Sequence, residues 1–119
     1  MLLELKSLSS PDLSNGEIPD DPKCCSVAIY AEIGPKGEAG AERFGFDVVT
    51  TDYLATNPVA LWGKGCMILP EFSWDQIERL LARQIAQTTG SSWADAAMSL
   101  SRYMNWEFED YRPYPSKNG

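Results

Sequence analysis

Two runs of alternating residues around a glycine-rich loop constrain this chain more than any other feature. Cys25, Val27, Ile29, Ala31 and Ile33 fall on one face of the first run, with Ser26, Tyr30 and Glu32 on the other. Phe44, Phe46 and Val48 repeat the pattern in the second run, with Arg43 and Asp47 opposite them. Successive strand residues point to opposite sides of a sheet, so period two is the signature of half-buried antiparallel strands. Between the runs, Gly34-Pro35-Lys36-Gly37-Glu38-Ala39-Gly40 supplies three glycines able to take positive φ. The pair reads as a β-hairpin.

Around that hairpin the pattern changes twice. Leu2–Ser9 is a short strand of mixed alternation, followed by a polar loop to Lys23. Residues 51–57 read as one helical turn capped by Thr51 or Asp52 and stopped by Pro58. Cys66-Met67-Ile68-Leu69 is continuously apolar, which predicts a central strand covered on both faces. Ser73-Trp74-Asp75-Gln76 has capping-box spacing and opens a helix whose stripe is Ile77, Leu80, Leu81 and Ile85, with Gly90 as its stop. Ser92 opens a second helix carrying Trp93, Ala97, Leu100 and Met104, and residues 106–111 alternate as a returning strand. The fold class is therefore α+β: an antiparallel sheet of about four to five strands with a pair of helices packed on one face. Residues 1–111 form one domain and 112–119 a polar tail. At 119 residues folding buries about two-thirds of the unfolded surface, enough for a core.

Charge narrows the partners. Ten Lys and Arg against 17 Asp and Glu give a net charge of −7. Nucleic acid and anionic membranes both need cationic patches, so neither is an expected partner. The chain has no histidine, the commonest general base and zinc ligand. Three cysteines, Cys24, Cys25 and Cys66, make an odd number without CxxC spacing, which fits small packed side chains in a reducing compartment better than a disulfide framework or a zinc site. The N-terminal stretch lacks a basic region ahead of its apolar residues, and no apolar run spans a bilayer, so the expected location is the cytoplasm.

Motifs that suggest chemistry have plainer readings. The hairpin glycines join two strands, whereas a phosphate cradle needs them between a strand and a helix N-terminus. Serine and cysteine nucleophiles lack a base to activate them. Glu107 and Glu109 share one face of the last predicted strand and suit either a solvated face or a protein-binding acidic face. Trp62, Trp74, Trp93 and Trp106 are core packers by default. No catalytic residue, metal ligand or cofactor is expected.

Several ordered segments resemble a known family. They are Leu5–Asp12, the loop Ile33–Glu38 followed by Phe44 and Phe46, Leu61-Trp62-Gly63, Trp93 before the second helix, Leu100–Tyr103, and Trp106–Tyr111. Together they resemble immunity protein family eight of the bacterial polymorphic toxin systems, over roughly residues 1–111. The resemblance implies a cytoplasmic α+β domain that neutralises a toxin delivered by sister cells. It maps the family's C-terminal tryptophan to Trp106, carries no catalytic site and does not fix the toxin's activity.

An inhibitor that works by occupancy needs no histidine, metal or nucleophile. A net charge of −7 steers a cationic toxin, and nucleases are often cationic because they bind phosphates. The expected toxin-binding residues are Glu107, Glu109, Asp110 and Tyr111, with Glu38 in the hairpin loop. Trp62, Trp93, Trp106, Gly34 and Gly37 are expected to be structural. The alternatives are an interaction or adaptor module with no toxin partner, and a small carboxylate-based hydrolase.

Overall fold

The computed structural model describes residues 1–58, 63–88 and 90–107. Five strands, β1 (Leu3–Ser9), β2 (Ser26–Pro35), β3 (Glu42–Thr50), β4 (Cys66–Leu69) and β5 (Asn105–Trp106), form one sheet with three helices, α1 (Thr51–Thr56), α2 (Trp74–Gln87) and α3 (Trp93–Leu100). The expected hairpin is β2–β3, paired from Ser26↔Val49 to Ile33↔Glu42. β1 pairs antiparallel on its free side, with a bulge between Leu5 and Ser7. That extra residue, Lys6, is why β1 alternates irregularly in sequence: Leu3, Leu5 and Leu8 all still pack against the core.

The inward residues of β2 and β3 face α2 and α3, which lie on one side of the sheet. Ile29, Ile33, Phe44 and Val48 meet Ile77 and Leu81 from α2 and Ala97 and Leu100 from α3 in one cluster. Each fully buried large apolar side chain contributes roughly 1.5–3 kcal/mol from removal of water. Ser73 caps α2 by accepting the Gln76 N–H at 3.2 Å, and Ser92 caps α3 by accepting that of Asp95 at 3.3 Å. Asp75 and Arg79 pair at 2.8 Å one turn apart on the solvent side of α2.

Four expectations are corrected. β4 runs parallel to β3, so the sheet is mixed, and it ends the strand order instead of lying inside it. Its apolar run is buried on one face only: Leu69 is covered, while Ile68 is 53% exposed. The α1 cap is Thr50, one residue earlier than expected, because its fully buried hydroxyl accepts N–H bonds from both Tyr53 and Cys25 and so latches β2 to the helix. α2 ends at Gln87 with Thr88 as its cap, so Gly90 is not its stop. Gly90 instead lies against α3, where a Cβ would come within 2.7 Å of the Ala96 nitrogen. The returning strand starts at Asn105, one residue earlier than expected, with Trp106 opposite Phe44 and Asn105 opposite Gly45; residues 108–111 of the expected strand lie outside the described residues.

Ser10 and Asp12 extend the ladder beyond β1 with side chains. The Ser10 hydroxyl donates to the Ala28 carbonyl at 2.6 Å, and the Asp12 carboxylate accepts the Ala28 N–H at 3.2 Å. All three cysteines are free thiols, with Cys25 buried and Cys24 and Cys66 half-buried. Among the described residues no helix is long and apolar enough to cross a membrane.

Candidate functional site

The hairpin end of the sheet gathers most of the described candidate residues. Its turn is held from two directions. Within the turn, the Glu38 N–H donates to the Pro35 carbonyl at 3.3 Å. From β1, the Glu4 carboxylate accepts the Gly37 N–H at 3.3 Å, the Lys6 ammonium donates to the Glu38 carbonyl at 2.5 Å, and Lys6 and Glu4 pair at 3.3 Å. The Gly37 hydrogen bond, and after it the Lys6 ammonium, hold the Glu4 carboxyl below its usual pKa. Glu38 is thus an exposed side chain on a turn whose backbone is fixed in advance.

Gly34 and Gly37 are structural for different reasons. A Cβ on Gly34 would stand 2.2 Å from the Gly40 carbonyl oxygen, so the two limbs of the loop close only over a bare Cα. Gly37 sits at φ 78°, the left-handed region that turns require and other residues avoid.

Beneath the turn, Glu42 organises two tryptophans. One carboxylate oxygen accepts the Trp93 indole N–H at 2.5 Å and the other that of Trp106 at 2.6 Å. The Phe44 ring stacks on Trp106 at 6.3 Å between centroids and meets Trp93 edge-on at 6.4 Å. The grouping ties the start of α3 and the β5 strand to β3. Sequence reasoning missed Glu42, although a signal was present. It shares the parity of Phe44, Phe46 and Val48, and a carboxylate on the core side of a strand requires donors.

Glu107 is exposed at the same end, but its carboxylate has a role in the fold. It accepts the Arg43 N–H at 3.1 Å, while the Glu107 N–H donates to the Arg43 carbonyl at 3.1 Å, so the residue continues β5 along β3. The Arg43 guanidinium lies 4.7 Å from the centroid of the Tyr30 ring on the sheet face opposite the helices. Register therefore brings Glu38 and Glu107 to one end of the sheet. Trp62, Glu109, Asp110 and Tyr111 lie outside the described residues, as does the polar tail.

This end offers fixed turns, carboxylates and aromatic surface, which suits recognition of another protein. Compared with family models, residues 3–111 match the one described as Immunity protein 8. Neither the curated proteins nor the solved structures give a match.

Proposed function

The chain belongs to the immunity protein 8 family, and from that premise we propose that it binds and neutralises one cognate secreted bacterial toxin by occluding it. The family match over residues 3–111 is the observation that carries this reading. It acts without turnover, in the cytoplasm of the cell that makes it. The toxin is a basic protein, with a nuclease the leading class, because a net charge of −7 steers a cationic partner and carboxylates can stand where substrate phosphates would bind.

Glu38 and Glu107 supply contacts at the hairpin end, and Glu109, Asp110 and Tyr111 are further contact residues. Glu38 is favoured by its pre-set turn, since a fixed backbone loses little entropy on binding. Growth rescue tests the function. Candidate toxin domains from the genome that encodes this chain are expressed one at a time in a sensitive cell, with and without this protein. Rescue that an unrelated acidic domain of similar size does not give supports neutralisation. Killing that continues despite soluble, folded expression refutes the pairing.

A further inference from the structure

The opposite end of the sheet carries a groove that the hairpin-end contacts do not use. The ten residues of β2 separate the two ends, a span of about 33 Å at 3.3 Å per residue. The groove, about 870 Å³, lies between the loop after β1, the first turn of α1 and the link from β4 into α2. Its apolar surface comes from Ile18, Pro70, Phe72 and Trp74; Ile18 is 54% exposed, and the rings of Phe72 and Trp74 meet edge-on at 5.3 Å. Asp52 and Glu71 line it as exposed carboxylates, and neither side chain has a hydrogen bond or ion pair among the described residues. Lys23 is the one cation among its described lining residues.

The walls are set in advance. The Trp74 indole donates to the Glu17 carbonyl at 2.7 Å, and the Phe72 N–H donates to the Pro22 carbonyl at 2.7 Å, pinning the loop to the start of α2. Asp21 accepts the N–H groups of Lys23 and Cys24, each at 3.2 Å. An exposed apolar centre with an unpaired acidic rim on fixed walls has the anatomy of a protein interface, with the aromatic and aliphatic groups as anchors and the carboxylates selecting sign.

We infer that this groove seats a cationic segment of the toxin, one apolar side chain packing on Ile18, Pro70 and Trp74 while Lys or Arg side chains meet Asp52 and Glu71. A second copy of this chain is the poorer occupant, because an isologous contact at this end sets two rims of net negative charge against each other, each with two carboxylates against the one cation Lys23 among its described lining residues. The inference rests on the neutralisation reading, and the experiment separates the two.

The full chain is titrated calorimetrically with the purified toxin domain that the rescue experiment selects, at low and at physiological salt. The variants are Asp52→Lys with Glu71→Lys, Ile18→Asp alone, and Asp47→Lys with Glu78→Lys as a control that changes net charge equally. All four replaced carboxylates and Ile18 are exposed, so each variant is expected to keep the wild-type circular dichroism. Each groove variant is expected to bind about tenfold more weakly or worse, and the double reversal to flatten the salt dependence, with the control within about threefold of wild type. Tight wild-type binding with groove variants no weaker than the control overturns the groove and leaves neutralisation standing. No wild-type binding removes both. Self-association of the wild type that the groove variants abolish overturns the inference by making this face a dimer contact.

Discussion

Trp93 and Trp106 converge on a single acceptor, each donating its indole N–H to a different oxygen of Glu42. One residue opens α3 and the other ends β5, so the carboxylate ties both elements to β3, with β5 also held there by its pairing with Phe44 and Gly45. Replacing it by glutamine leaves one oxygen to accept and turns an amide donor toward the second indole. Glu42→Gln is expected to cost about 2 kcal/mol, the range of charge-assisted bonds and unsatisfied partners. Urea unfolding with both tryptophans as fluorescence probes checks this. A change below about 0.5 kcal/mol, as surface substitutions give, would contradict it.

The hairpin glycines separate two costs. Gly34→Ala must push apart the limbs of the loop, because the Cβ would meet the Gly40 oxygen at 2.2 Å. Gly37→Ala meets no atom within 4 Å and carries only the strain of φ 78°. The second is expected to destabilise by about 1–2 kcal/mol and the first by more. Thermal melts of the two variants decide the order; equal losses would contradict the close approach.

Acid should loosen the hairpin turn before it unfolds the chain. The Gly37 N–H and the Lys6 ammonium depress the Glu4 pKa, so the turn is favoured while the carboxylate is ionised. That contribution is present above the ordinary glutamate range and is lost as pH falls through the lower folded value. Carboxyl titration by NMR should place the Glu4 midpoint below that of glutamate in an unstructured peptide. Lys6→Met should raise it. A Glu4 midpoint at the peptide value, unmoved by Lys6→Met, would contradict the arrangement.

Two thiols should react slowly. Burial, then the nearby Asp21 and Cys24, push the Cys25 thiol up; burial, then Asp47, push up Cys66. Both are therefore less ionised near pH 8 than a free thiol. Alkylation followed by peptide mass spectrometry should show Cys25 and Cys66 labelled several-fold more slowly than in the denatured chain. Labelling at the denatured rate would contradict their packing.

Elements set by local pattern were legible in the sequence. The β2–β3 parity is read directly from Val27, Ile29, Phe44 and Phe46, and the helix starts from the hydroxyls of Ser73 and Ser92. What escaped depends on contacts far apart in the chain. Nothing local to Cys66–Leu69 tells an edge strand parallel to β3 from a central one, because one covered face and a short strand leave the same apolar run. Lys6 hides a bulge as a break in alternation. Glu38 was found as an exposed turn residue, and Glu107 as an acidic one, but the Arg43 backbone that engages Glu107 is 64 residues away. Glu42 announces itself only through its core-side parity, and its two donors lie 51 and 64 residues on.

Stoichiometry tests neutralisation by occupancy most directly. The purified toxin domain is assayed for its own activity while this protein is added in steps, at toxin concentrations well above the dissociation constant. Occlusion predicts a linear fall that reaches the baseline at one equivalent, with the lost activity returning when the complex is dissociated and the toxin recovered. Complete, irreversible loss far below one equivalent would show turnover on the toxin, and undiminished activity in excess protein would show that the two do not pair.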